Sequence, residues 1–64
     1  MILATWLRAR REDAGMSQEQ LASDAGVAVA TVRNIETGVV VEPGYFTVVA
    51  LIRALGAGPA DLPT

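Results

Sequence analysis

Cysteine and histidine are both absent from this chain of 64 residues. Without cysteine there is no disulfide and no thiolate ligand, and without histidine as well we expect no transition-metal site. We expect no other cofactor, because no motif in the sequence indicates one. General-base catalysis would depend on carboxylates, which are scattered and form no pair that indicates a cleft. These are Glu12, Asp13, Glu19, Asp24, Glu36, Glu42 and Asp61. We therefore expect no enzyme activity and no small-molecule substrate.

Long apolar runs are also missing, so the sequence predicts no membrane span. The first six residues, MILATW, are followed within two residues by Arg8, which is not typical of a signal peptide. We therefore expect a cytoplasmic protein. Its length suffices for one domain, 1–64, which buries only about 60% of its unfolded surface. Residues 57–64 (AGPADLPT) are expected to fray or to form one short helical turn.

The informative positive feature is a spaced set of residues within 17–38. Ala22 is small enough to let two helices approach closely, and Gly26 tolerates the positive φ of a tight turn. Val32 and Ile35 are three apart and can face the core together. The whole set is Gln18, Ala22, Gly26, Val32 and Ile35. It predicts two short helices joined by a turn, a helix-turn-helix unit, whose second helix usually enters the DNA major groove.

Capping signals and apolar periodicity predict four helices. Ser17 and Gln20 have the spacing of a capping box, and Pro43 and Gly44 suit the start of a last helix. The expected helices cover residues 3–14, 18–25, 29–37 and 45–55, and glycines at 15, 26, 38 and 56 follow them. The sequence therefore predicts an all-α fold. We expect Tyr45 or Phe46 to close the N-terminal end of the last helix, and Trp6 to cover the core.

Basic residues are few for a DNA-binding protein, since five arginines face seven acids and the net charge is −2. Between residues 25 and 37 the charged side chains are Arg33 and Glu36. The groove-facing surface is thus expected to be nearly neutral with one cation, and the phosphate contribution to affinity to be weak.

Three consecutive valines, Val39 to Val41, follow the third expected helix. β-Branched residues are poor helix formers and can adopt a short extended segment. One interpretation is a loop packed against the fourth helix; the other is an apolar patch for a partner subunit.

Four motifs, MSQEQLA, AGV, TVRNIETG and LIRALG, resemble the phage-repressor/Cro-like helix-turn-helix family, also called the xenobiotic-response-element family. The resemblance covers the chain from Leu3 to Leu62. It implies a compact four- to five-helix bundle of the lambda-repressor-like DNA-binding type. It also implies a transcriptional regulator that binds double-stranded operator DNA as a homodimer.

By position, the resemblance implies a phosphate contact for Gln18, at a helix N-terminus that favours anions, and a second backbone contact for Ser17. Arg33 matches a position that reaches a phosphate or a guanine. The positions that usually face base edges are Ala28, Val29, Ala30 and Asn34. Arg11 and Glu36 match a pair that ties the first helix to the third, which predicts a partly buried ion pair.

Two departures from the family pattern leave a second function open. Ala28, Val29 and Ala30 are apolar where the family usually has polar or basic residues, although they can pack on thymine methyl groups. The loop 39–42 is not basic. The sequence therefore predicts a sequence-specific DNA-binding regulator. The alternative is a protein-interaction module on the same fold with weakened or lost DNA binding, and the chain could also be part of a longer regulator.

Overall fold

Four helices form the part of the chain that the computed structural model describes, residues 2–40 and 43–57. They are α1 (Ile2–Asp13), α2 (Gln18–Ala25), α3 (Val29–Glu36) and α4 (Tyr45–Ala54). These described ranges contain no strand, so the predicted all-α fold is confirmed. The final turn expected within 57–64 lies outside the described residues except for Ala57, which is not helical, and Val41 and Glu42 also lie outside them.

The turn between α2 and α3 is closed by backbone bonds at a left-handed glycine. Gly26 has φ +73°, and its N–H donates to the carbonyl oxygen of Ser23 at 3.2 Å. The N–H of Val27 donates to the Ala22 carbonyl oxygen at 3.0 Å, which completes a Schellman motif. A glycine is needed here because a Cβ would be strained at this φ. The chain therefore reverses within three residues and brings α3 back against α2.

The start of α2 forms only half of the predicted capping box. The backbone N–H of Gln20 donates to Ser17 Oγ at 3.0 Å, as the motif requires. The Gln20 side chain does not reach back to Ser17, because its Nε2 donates forward to Asp24 Oδ1 at 3.0 Å. The cap thus depends on Ser17 alone, while Ala28 begins α3 without a side-chain cap.

The core lies where α1, α2, α3 and α4 converge. Val32 and Ile35 of α3 are fully buried, as the spacing predicted. The central cluster is Leu7, Leu21, Ala22, Val32, Ile35 and Leu51. Trp6 packs partly buried against this cluster, as expected, and the Arg10 guanidinium lies 5.7 Å from its ring centroid, within cation–π range. The core therefore fixes one face of α3 and leaves the opposite face outward.

The prediction for the aromatic residues at the start of α4 is wrong. Tyr45 and Phe46 are 75% and 84% exposed and stack on each other edge-to-face, with centroids 5.5 Å apart. They stand in the first turn of α4, where side chains tilt toward the N-terminus and away from the rest of the helix. Val39 is also 72% exposed, which does not fit a loop packed against α4.

Candidate nucleic-acid interface

The outward face of α3 is the surface that a major groove would meet. Ala28, Ala30 and Arg33 are exposed along it, and Asn34 is half-buried. Val29 is half-buried too and packs against the core cluster. Less of its side chain is therefore available to a base edge than the predicted base-facing position implies. The exposed face is therefore formed by two methyl groups and one guanidinium, with Asn34 at its border.

The last turn of α3 is held to the segment that follows it. The N–H of Val40 donates to the Asn34 carbonyl oxygen at 3.1 Å, and Thr37 Oγ1 donates to the Arg33 carbonyl oxygen at 2.9 Å. The Val40 bond satisfies a carbonyl group that the helix end leaves without an intrahelical partner, and the Thr37 hydroxyl adds a second bond to the Arg33 carbonyl, which already accepts the Thr37 backbone N–H. The backbone that carries Arg33 and Asn34 is thus fixed from both its inner face and its C-terminal end.

Arg11 of α1 and Glu36 of α3 meet in a bidentate ion pair behind this face. Arg11 Nε lies 2.7 Å from Glu36 Oε2, and Nη2 lies 3.0 Å from Oε1. The side chains are only 12% and 3% exposed. Arg11 Nη1 also donates to the Met16 carbonyl oxygen at 2.8 Å, in the connection between α1 and α2. The Arg11 side chain therefore joins α3 to α1 and to the connection between α1 and α2.

The electrostatics of this pair keep the guanidinium charged. The hydrogen bond to Glu36 and the charge of that carboxylate raise the pKa of Arg11, although burial opposes the shift. Because arginine is ordinarily protonated far above neutral pH, this raised pKa keeps the side chain charged throughout the physiological range. Within residues 28–37, Arg33 is then the charged group left on the outward face, because the buried Glu36 carboxylate is paired with Arg11.

Gln18 has a partner that the sequence did not predict. Its Nε2 donates to Glu36 Oε1 at 3.2 Å, so the first residue of α2 is attached to the last residue of α3. A primary amide has two N–H groups and a carbonyl oxygen, so this bond leaves hydrogen-bonding capacity for a phosphate. No local sequence signal marks the contact, because residues 18 positions apart meet only once α2 and α3 are packed.

Ser17 and Gln18 lie together at the N-terminus of α2. Ser17 is exposed and its Oγ is occupied as the cap acceptor, while Gln18 is half-buried. The helix dipole and the first backbone N–H groups make such an end favourable for an anion. Glu19, exposed in the same turn, opposes this with a negative charge.

Other kinds of site have little support within the described residues. No group of three acidic, cysteine or histidine side chains there could hold a metal ion, and none of the described helices is long and apolar enough to cross a membrane. A cavity of about 10 Å³ lies between α1, α3 and α4, too small for any ligand beyond a single water. Its lining is apolar: Leu3, Trp6, Leu7, Ile35, Pro43, Val48, Leu51 and Ile52.

Two short helices joined at a left-handed glycine, with the second presenting a solvent-facing surface, define a helix-turn-helix domain, a class that binds DNA. A family described as helix-turn-helix domain matches residues 2–64, and the chain belongs to that family. This agrees with the Cro/repressor-like resemblance of the sequence. Members of such families are typically not enzymes. No curated protein and no solved structure matches the chain.

Proposed function

We propose that this domain is a sequence-specific transcriptional regulator that places α3 in the major groove and acts as a homodimer on a two-fold operator. The observation that carries the proposal is the division of α3 into two faces. Val32 and Ile35 are fully buried, while Ala30 and Arg33 of α3, and Ala28 immediately before it, are exposed. This helix is the second helix of a helix-turn-helix unit, the one that enters the groove in this class of protein. The protein would then act in the cytoplasm, where it reaches DNA.

Phosphate contacts would come from the N-terminus of α2. Ser17 and the backbone amides of the first turn offer donors, and the amide of Gln18 is held in place by Glu36. Such contacts position a protein on the duplex without reading its sequence. With few cations nearby, we expect a shallow dependence of affinity on salt.

Base reading would be shared between polar and apolar groups. Arg33 suits guanine, and Asn34 suits adenine if its half-buried amide reaches the groove. The methyl groups of Ala28 and Ala30 can pack on thymine methyl groups, and so can the exposed part of the Val29 side chain. A two-fold operator would carry such half-sites about one helical turn apart, ~34 Å.

Fluorescence anisotropy with duplex DNA across a salt series tests this proposal. Affinity should fall as salt rises, with a slope near −0.9 for each phosphate contact. Arg33→Ala should weaken binding by about five- to 150-fold, because a good base contact of arginine is worth ~1–3 kcal/mol. Arg53→Ala is the matched control, since Arg53 is also exposed but belongs to the last turn of α4.

The two variants must melt at the temperature of the wild type for the comparison to hold. Equal losses of affinity in Arg33→Ala and Arg53→Ala would mean that only net charge matters, against α3 as the reader. No binding even at about 20 mM salt, where screening is weak, would reject the regulator and leave the protein-interaction module. The exposed Tyr45 and Phe46 are the observation that favours that second function.

A further inference from the structure

Large apolar side chains are exposed in two neighbouring segments of the described chain. Val39 and Val40 follow α3 and are 72% and 37% exposed, and Tyr45 and Phe46 open α4. We call these four residues the apolar patch. Tyr45 lies five positions after Val40 in the chain, so their Cα atoms lie at most about 18 Å apart. Both segments therefore fit under a single interface of ordinary size, about 30 Å across.

We propose that the apolar patch is the surface through which two copies of this chain associate. The inference rests on the homodimer proposed above and assigns its contact residues. Isolated exposed leucines or valines are common on surfaces, but two adjacent aromatic rings at this exposure are not. Aromatic residues are enriched in the centres of protein interfaces, where they bury much area with little conformational entropy loss.

Charge selects a second copy over DNA as the occupant. Between Glu36 and Arg53 the sequence has a single charged residue, the acidic Glu42, so this region offers no cation to a phosphate. Two copies of one surface bring like charges together, which favours a neutral surface for self-association. The exposed faces of α1 and α2 are charged, with Arg8, Glu12, Glu19 and Asp24, and suit this purpose less.

The area of the patch predicts a weak dimer. Full burial of an aromatic side chain removes roughly 150–250 Å² from water, so at these exposures the four residues would bury roughly 400 Å² per copy. Two copies would bury roughly 800 Å² from these side chains, below the ~1,200–2,000 Å² of stable complexes. We therefore expect association in the micromolar range or weaker, strengthened when two half-sites hold the copies side by side.

The position of the patch links association to DNA reading. Val40 is bonded through its N–H to the Asn34 carbonyl oxygen in the last turn of α3. A contact made through Val40 therefore fixes the orientation of α3 relative to the two-fold axis. Half-site spacing on the operator would follow from this geometry.

Sedimentation equilibrium of the full chain from about 1 µM to 1 mM tests the assignment. Wild-type mass should rise from one copy toward two. Phe46→Glu should weaken association at least about tenfold, because it buries a carboxylate between two copies. Phe46 lies in the first turn of α4, where an acidic side chain is compatible with the helix. Ala9→Glu, at an exposed site of α1, adds the same charge outside the patch and should dimerise like the wild type.

Anisotropy with a single half-site and with two half-sites separates this inference from the proposed function. Phe46→Glu should bind one half-site as Ala9→Glu does and lose cooperativity on two. Normal dimerisation of Phe46→Glu would place the interface elsewhere and overturn the assignment. A wild type that stays monomeric, and binds two half-sites without cooperativity, would mean that the patch meets a different partner. Failure to bind any DNA, with the expected sedimentation result, would reject the regulator but keep the interface.

Discussion

Two regions of this small domain reverse the usual placement of charged and apolar side chains. At the junction of α1, α2 and α3, an arginine and a glutamate are 12% and 3% exposed. At the start of α4, a tyrosine and a phenylalanine are 75% and 84% exposed. The buried charges are paired with each other, whereas the exposed rings stack edge-to-face on each other.

The difference shows that hydrophobicity alone does not assign a role to a side chain. A buried charge is tolerated only if its hydrogen-bond partners replace water. In the Arg11–Glu36 pair, Arg11 also donates to the Met16 carbonyl oxygen, and Glu36 also accepts from the Gln18 amide. An exposed aromatic ring adds little to the stability of the monomer and is useful only in contact with another molecule. The first region therefore belongs to the scaffold, and the second is the surface proposed for association.

The largest expected effect comes from breaking the buried pair. Glu36→Ala should lower the free energy of unfolding by about 3–5 kcal/mol, because it leaves the Arg11 guanidinium buried without a counter-charge. Small domains have roughly 5 kcal/mol of stability or little more, so the variant should be partly unfolded at 25 °C. Urea denaturation followed by circular dichroism measures the loss.

Glu12→Ala is the matched control for this prediction. It removes the acidic partner of Arg8 in an ion pair of 3.3 Å whose side chains are 65% and 56% exposed. Exposed pairs of this kind contribute about 0.3–0.5 kcal/mol in a helix. Similar losses for Glu36→Ala and Glu12→Ala would contradict the structural role of the buried pair.

A smaller effect is expected from the third member of the buried network. Gln18→Ala should cost about 1–2 kcal/mol, since it removes a hydrogen bond to a charged group that keeps its main partner. Gln20→Ala, which breaks the exposed bond to Asp24, should change stability by less than about 0.5 kcal/mol. The two are compared by denaturation under the same conditions.

Gln18 also gives a second readout, because it is proposed to contact a phosphate. Its loss should weaken DNA binding under conditions where the variant is fully folded. Unchanged affinity with lowered stability would make Gln18 a structural residue only. Unchanged stability would mean that its bond to Glu36 contributes nothing measurable.

Most of the fold could be predicted from local signals. The bounds of α2 agree with the prediction, those of α3 and α4 differ by one residue at the C-terminal end, and those of α1 differ by one residue at each end. This follows because Ser17 and Gly26 act through bonds to their own neighbours, which the sequence spacing specifies. Val32 and Ile35 were predicted as core from helical periodicity, and they are.

The surfaces could be predicted less well, because they depend on what other elements cover. Tyr45 has the helical spacing of Val48 and Ile52, but periodicity gives the direction of a side chain and not the presence of a neighbour. The bond from Gln18 to Glu36 likewise depends on how α2 and α3 pack. The roles of Ser17, Ala28, Val29, Ala30, Arg33 and Asn34 toward DNA stay predictions.

The smallest expected effect is at the exposed ring itself. Phe46→Ala should lower the stability of the monomer by less than about 1 kcal/mol, because it removes only an exposed edge-to-face contact with Tyr45. Leu51→Ala, on the same helix but 3% exposed, should cost about 2–5 kcal/mol.

Melting measured at a few micromolar and near 1 mM adds a sharper test. Dimerisation makes the melting temperature rise with protein concentration, so the wild type should show this rise and Phe46→Ala should not. A concentration-independent wild type, or a Phe46→Ala loss as large as that of Leu51→Ala, would remove the distinction between the scaffold and the associating surface.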